Sequence, residues 1–430
     1  MPLSLVGDRR RKKKGKLKVK SLLTFALPLP YPVLVRFLTF LIAAVSCLPV
    51  GAAKLDISQL PPDDVKKGVA VISDGPDFLF AIESAKPPAL FVDSQPAGPM
   101  QRGKDGVWTY SGKLKTGRSH SFYYMVDGQR VGGKSDVAAF GPDSYEHTGV
   151  PQGKLSEKIV HSSKIYEGMQ SNYWIYVPAQ YDPAQPAALM VWQDGQGRVQ
   201  RDGAARSQIV FDNLTYQKKI PVMIHVFIQP GTVGARAMRS IEYDTVSDKY
   251  ARFLRDEVLP EVYAKYNIRK DGYSRGISGS SSGGICAFNV AWWQPEQFSR
   301  VLSNIGSFTS IQWHPGEIDG GNVYPFKIRK EPKRNIRVWL QDGTEDLENN
   351  HGSWPLQNLQ MANSLKMMDY DFHLSLGNGT HNGAHGASEL PEEMTWLWRD
   401  YDPARTEQTY EMEPSEKAKL LFRVRIYNRE

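Results

Sequence analysis

The sequence predicts an α/β protein: a mostly parallel sheet covered by helices on both faces, preceded by a small all-β sandwich. Three observations predict it. From residue 155 onward, apolar strand-like runs alternate with amphipathic helical stretches. One of those runs, PVMIHVFIQP (221–230), is apolar almost throughout, the pattern of a strand buried on both faces. Residues 54–154 instead hold short aromatic-rich runs of period two, separated by turn signals.

The chain of 430 residues has room for two domains, and its 41% hydrophobic and 23% charged content excludes a disordered chain. The formal net charge of +7 is unevenly spread. Residues 1–53 hold ten Lys and Arg against one acid, Asp8, so the leader carries +9 and the rest −2. A body near neutrality has no phosphate-backbone footprint, which excludes nucleic acid as a partner. After the basic start comes VRFLTFLIAAVSCLPVGAAK (35–54). Its apolar stretch of about 14 residues is short of the ~20 that a membrane span needs, and small residues follow it. Residues 1–53 therefore read as a secretory leader, and the mature protein as exported, periplasmic or secreted. A membrane is met only through an uncleaved leader. Cys47 departs with the leader, and Cys286, left alone, makes no internal disulfide.

In chain order, DFLFAI, ALFVD, GVWTYSG and HSFYYMVDG are strands of the sandwich, domain 54–154. GPDSYEHTGVPQGK (141–154) is the linker out of it. In 155–405, YWIYVP, AALMVWQDG, PVMIHVFIQP, GYSRGISGS, RVLSNIGSF, NIRVWLQDG and DFHLSLGNG are strands. Between them DTVSDKYARFLRDEVLPEVYAKYN (244–267) is helical. Tyr250, Phe253, Leu254 and Val258 share one face of it, with Asp244 or Thr245 as cap. SSGGICAFNVAWW, PLQNLQMANSLKMMD and LPEEMTWLWRDY are further helices, and 406–430 is a tail. The conformations of 197–220 and 309–334 do not follow from the pattern.

RGISGSSSGGICAF (275–288) carries the chemistry. Gly-x-Ser-x-Gly occurs in one frame, around Ser281. A strand runs in and a helix runs out, the strand–turn–helix of a nucleophile elbow. Gly279 and Gly283 lack Cβ atoms, so strand and helix can close around a strained turn that lifts the serine hydroxyl clear. The helix N-terminus then aims free N–H groups at a reacting carbonyl, and that of Ser282 becomes an oxyanion donor. Ser278, Ser280 and the Ser282 hydroxyl are read as backbone hydrogen-bonding groups.

A serine hydroxyl needs a base, and the base an orienting acid. Elbow enzymes place acid and then His later in the chain, past strand C-termini. QDGTEDLENN offers Asp342 and Asp346 among its acids. GNGTHNGAHGA offers His381 as base, with His385 either supporting the site from behind or facing the substrate. Two His four apart could also bind a metal, but no acid lies between them as in His-Glu-x-x-His, and the glycines oppose a helix aligning both rings. No metal or other cofactor is expected. The turn Asp194-Gly195-Gln196-Gly197 can present a second oxyanion donor, the N–H of Gln196. Arg239 and Glu242 are read as a substrate-contacting pair at the pocket rim, or as a structural salt bridge.

VWQDGQG, RSIEYDTVSDKYARFLRDEVLPEV, RGISGSSSGG, QDGTEDLENN and GNGTHNGAHG together resemble the putative esterase (esterase D-like) family of α/β-hydrolases, in its enterochelin-esterase-like branch. The resemblance spans about 155–400. It implies a triad of Ser281, Asp346 and His381, and so favours Asp346 over Asp342. Two departures stand out: Gly379-Thr380-His381 where the family has Gly-Gly-His, and Ser282 where it has Met after the nucleophile. The N-terminal sandwich is similar to the immunoglobulin-like early-set domains that precede such hydrolases, some of them like carbohydrate-binding modules. The expected activity is hydrolysis of a carboxylic ester through an acyl-enzyme. The ester is an acylated sugar or polysaccharide, a feruloyl-type ester or a siderophore-like ester. Acyl transfer on the same fold and a non-catalytic glycan-binding protein are the alternatives. Oligomeric state is not legible.

Overall fold

Residues 55–420 are described in the computed structural model. The predicted leader, with Cys47, and the part of the predicted tail beyond 420 lie outside them. Eight strands come first: β1 (Ala70–Asp74), β2 (Asp77–Glu83), β3 (Ala89–Val92), β4 (Gln95–Gly98), β5 (Gln101–Arg102), β6 (Val107–Lys113), β7 (Arg118–Val126) and β8 (Gln129–Ala139). They form two antiparallel sheets, ordered β1-β2-β6-β5 and β4-β3-β7-β8. Phe78, Phe80 and Ile82 of the first sheet share one core with Leu90, Phe122, Tyr124 and Val137 of the second. The period-two pattern explains this: alternate side chains of β2 face the other sheet. Leu79 and Ala81, pointing the other way, are covered by Leu60 and Val65 at the short helix α1 (Pro62–Lys67).

Residues 141–154 do not hang free. Asn213 donates to the carbonyls of Asp143 and Tyr145, and Arg201 forks onto Glu146. The expected linker is thus pinned to the α/β part of the chain.

The large sheet is built on seven strands: β9 (Gln170–Val177), β10 (Ala188–Gln193), β11 (Met223–Ile228), β12 (Arg275–Ser280), β13 (Arg300–Asn304), β14 (Arg337–Gly343) and β15 (Asp371–Gly377). Their order is β9-β11-β10-β12-β13-β14-β15. Only the β9–β11 pairing in this run is antiparallel. Side chains alternate between two apolar layers. Leu189 and Val191 of β10 join one layer, and Ala188, Met190 and Trp192 the other.

Helices cover both layers. On the first lie a helical stretch over 249–263, α2 (Ser282–Trp293), α3 (Tyr324–Lys330) and α4 (Trp354–Met367), with Phe253, Phe288, Ile328 and Met361 in its core. On the second lie the helix Ser207–Tyr216 and α5 (Ala384–Leu397), contributing Phe211, Leu214, Leu390 and Met394.

Three elements differ from the sequence reading. Ser207–Tyr216 and α3 fold as helices inside the segments whose shape the pattern left open. The 249–263 stretch begins after Asp248, whose side chain makes no cap bond, so neither Asp244 nor Thr245 caps it. Asp244 instead ends the short helix Arg239–Tyr243 and accepts the Ser240 hydroxyl. Leu254–Val258 within that stretch is wound as a π-helix. No helix among the described residues is long and apolar enough to cross a membrane.

The crossing of β12 and α2 is a tight constraint on the site. A Cβ on Gly279 would stand 2.3 Å from the carbonyl oxygen of Gly283. Gly279→Ala is expected to cost about 1–3 kcal/mol by overpacking, read as a lowered urea midpoint; an unchanged midpoint would show that the crossing yields.

Candidate active site

Ser281 stands between β12 and α2 with φ 59° and ψ −124°, a backbone region that a non-glycine residue occupies only under constraint. Four backbone bonds supply the constraint. Its N–H donates to the Asn304 carbonyl at 2.9 Å, and its carbonyl accepts from Gly284 at 2.9 Å, Ile285 at 3.3 Å and Ser307 at 3.1 Å. The side chain is thereby lifted off the C-terminal edge of the parallel sheet.

The acid and base loops follow β14 and β15 at the same edge. They are tied to each other: the Thr344 and Glu345 N–H groups donate to the carbonyls of Gly377 and Gly379. A Cβ on Gly343 would meet the Gly379 carbonyl oxygen at 2.1 Å, so glycine alone permits this closeness. The result is one hydrogen-bonded chain. His381 Nε2 lies 2.8 Å from Ser281 Oγ, and Nδ1 lies 2.6 Å from Asp346 Oδ1. Nδ1 donates to the carboxylate, which leaves Nε2 free to accept the serine proton. The ring stands edge-on to Trp354 at 5.6 Å.

Two aspartates meet below the ring. Burial raises Asp346, but hydrogen bonds from His381, Asp342 and the Leu347 N–H outweigh it and hold the carboxyl below its usual range. Asp342 is fully buried, and burial together with the bond to Asp346 and its charge pushes the Asp342 carboxyl far up. The shift favours the protonated form of Asp342, a donor to its neighbour rather than a second anion. It is held by the Gly343 N–H and by Asn358 Nδ2, both at 2.8 Å. Asp346, not Asp342, meets the imidazole.

The expected oxyanion donors sit on adjoining elements. Ser282 opens α2, where the first N–H groups have no partner within the helix. Gln196 lies in the turn Gly195–Arg198 after β10. That turn adjoins the elbow: a Cβ on Gly283 would be 3.1 Å from Asp194 Oδ2. Arg239 clamps Asp194 with two bonds of 2.8 Å and reaches the Ser280 carbonyl at 3.4 Å.

Two site expectations are corrected. Arg239 and Glu242 do not form a pair at the rim. Glu242 is 1% exposed and accepts the Gly231 N–H at 2.8 Å, so no substrate can reach it, whereas Arg239 forks onto Asp194 through Nε and Nη2 with its side chain 36% exposed. His385 is not substrate-facing. It lies in α5, is 5% exposed, and bonds Glu389 through Nε2 at 2.8 Å. The flanking glycines hid the start of that helix. Among the described residues no group of three or more His, Cys, Asp or Glu is placed to hold a metal ion.

Sequence reasoning missed Ser307, whose Oγ lies 3.3 Å from Ser281 Oγ and accepts the Trp354 indole N–H at 3.0 Å. Its signal was its place just past the end of β13. A cleft of about 800 Å³ opens at the other end of the sheet, lined by Lys219, Trp398 and Tyr401, and contains none of these residues.

The fold agrees with known proteins. An enterobactin esterase from Shigella flexneri, solved in the presence of enterobactin, superposes with a TM-score of 0.51 at 18% identity, over 78% of this chain and 96% of that one. The ferric enterobactin esterase of Salmonella typhimurium gives 0.51 at 16% identity, over 78% and 97%. A ferulic acid esterase from Anaeromyces mucronatus gives 0.45 at 14%, over 59% and 94%. The protein is a carboxylic ester hydrolase with a fold of the α/β-hydrolase type. It belongs to the family described as "Putative esterase", whose sequence model matches residues 166–395.

Burial, against one hydrogen bond from Gly231 and with the nearby Asp194 charge, pushes the Glu242 carboxyl up from 4.5 to about 7. The folded state then holds this proton more tightly than the unfolded chain. Stability from this group is full below 4.5 and is lost as pH rises through about 7. Glu242→Gln keeps an acceptor for Gly231 and removes the loss. Melting curves should show the variant gaining on the parent as pH rises from about 5 to about 8; a gap independent of pH would contradict the assignment.

Proposed function

We propose that the protein is an exported serine esterase that cleaves its ester through an acyl-enzyme. The observation that carries this reading is the hydrogen-bonded chain Ser281–His381–Asp346, with bonds of 2.8 and 2.6 Å at the open edge of the sheet. Ser281 Oγ attacks the ester carbonyl while His381 Nε2 takes its proton. The imidazolium that forms is stabilised and oriented by Asp346, which stays ionised. The tetrahedral oxyanion is met by the N–H groups of Ser282 and Gln196, fixed dipoles that need no reorganisation during the reaction. His381 then returns the proton to the leaving alcohol. A water, activated by the same imidazole, releases the acid and restores Ser281.

The substrate class is an acylated sugar or polysaccharide, a feruloyl-type ester or a siderophore-like ester. The domain plan follows the chain: leader 1–53, a sandwich of immunoglobulin-like type over 54–154, the esterase domain 155–405 and the tail 406–430. Support for the second comes from the shared core of the two small sheets. Support for export comes from the basic and apolar order of the leader.

Ser281→Ala is expected to lower p-nitrophenyl acetate hydrolysis by about 10³-fold or more. Retained hydrolysis would sink the reading. The acid is tested by a pair of variants. Asp346→Asn should cost about 10³–10⁴-fold in kcat, whereas Asp342→Asn, neutral like the residue it replaces, should stay within about tenfold. Equal losses in the two would mean that Asp342 works as an anion.

A further inference from the structure

The loop that carries His381 is gripped from the side by the N-terminal β-strands. It runs from Gly377, the end of β15, to Ala384, the start of α5. One flank is tied to the acid loop, as described above. On the other, Asp136 Oδ1 accepts the Thr380 N–H at 3.0 Å and Oδ2 accepts the Thr380 hydroxyl at 2.5 Å. Two residues earlier, Asn378 Nδ2 donates to Asp93 Oδ1 at 2.9 Å. Gly379 between them packs on the same surface: a Cβ there would be 3.0 Å from Asp136 Oδ1.

Asp136 sits in a β-bulge of the small sheet and Asp93 in a hairpin turn. On β7 and β8, His120 pairs with Val137 and Phe122 with Lys134, so Ser135 and Asp136 together oppose Ser121. This is a β-bulge, a device that re-aims a side chain, and Asp136 takes φ +57° within it. Asp93 and Ser94 turn the β3–β4 hairpin with φ +49° and +63°. On the β3 side of β7, the Ser121 N–H donates to Asp93 Oδ1 at 3.0 Å and its carbonyl accepts the Asp93 N–H at 2.8 Å, while the His120 ring lies 2.6 Å from Asp93 Oδ2. Burial raises Asp93, but the bonds from His120, Ser121 and Asn378 outweigh it and keep it an anion. Bulge and turn thus converge on one short loop.

We propose that Asp136, through its two bonds to Thr380, is a positioning residue for the His381 imidazole, so that the N-terminal β-unit completes the geometry of the esterase site. The inference rests on the reading of His381 as the base. An imidazole must meet both Ser281 and Asp346, and a shift of about 1 Å in its loop can cost about 10²-fold in rate. Thr380 is the adjacent residue, and its N–H and hydroxyl fix two points of the peptide that sets the His381 backbone. Asp93 and Asn378 add a third point on the far side of Gly379.

The test uses the full chain and kcat per active site, counted by titration with a fluorophosphonate so that misfolded protein drops out. Asp136→Ala is expected to lower kcat at least tenfold with KM within twofold. Thr380→Val, which removes only the hydroxyl and leaves the bulge untouched, should lower kcat about threefold and serves if Asp136→Ala fails to fold. Asp136→Asn keeps an acceptor for the Thr380 N–H and offers its amide to the hydroxyl, and should restore kcat to within threefold of the parent. A merely structural role would move melting temperature and the titrated fraction but not kcat per site. Parent-like kcat in both Asp136→Ala and Thr380→Val, or no rescue by Asp136→Asn, overturns the proposal. Ser281→Ala separates the two readings: if it is inactive while Asp136→Ala works normally, only the positioning role falls. If it is active, the reading of the site falls first.

Discussion

The geometry of this molecule turns on the close crossing of strand Arg275–Ser280 and helix Ser282–Trp293. Two glycines, at 279 and 283, let backbone approach backbone, and the residue between the two elements must turn sharply to join them. The strain at Ser281 is paid by the packing of two largely buried elements and by four backbone hydrogen bonds. A serine held this way has one direction for its hydroxyl, and every other part of the site is arranged around that direction. The helix N-terminus supplies partial positive charge at the same point, without a metal or a mobile side chain being required for it.

What surrounds Ser281 is a set of loops that would not stay in place alone. The acid and base loops bond each other through their backbones. The Asp194 turn is locked by the Arg239 fork. The buried Asp342, kept neutral by burial and by its charged neighbour, gives Asp346 a fixed partner without adding a second negative charge beneath the imidazole. Low dielectric makes this arrangement economical. One carboxylate and one carboxylic acid can share a buried site, whereas two carboxylates repel. The small sheets join the same network through Asp136 and Asp93. The α/β part alone does not hold all of the groups that fix its loops.

Much of this was legible in the sequence. The strands of the large sheet are continuous apolar runs, and such runs admit few alternatives. Ser281 was legible because its glycines have a strand before and a helix after. His381 was legible because it follows a strand among glycines. The choice between Asp342 and Asp346 depends on which carboxyl loses its solvent, and it was mainly the family resemblance that pointed to Asp346. His385 misled because Gly383 and Gly386 mask a helix that begins at Ala384. Glu242 misled because its surroundings come from Gly231 and the sheet edge, not from its sequence neighbours. Asp136 carried no signal: its partner lies 244 residues away, and a strand of exposed polar residues gives no hint of a bulge. Local pattern announces backbone; contacts between distant loops announce themselves only in the fold.

The most direct measurement of the central claim is covalent. A fluorophosphonate offered to the folded protein should attach at one residue, Ser281, as mapped by mass spectrometry of the labelled peptide, and unfolding beforehand should abolish the reaction. Attachment at another serine, or none in protein that hydrolyses esters, would contradict the account.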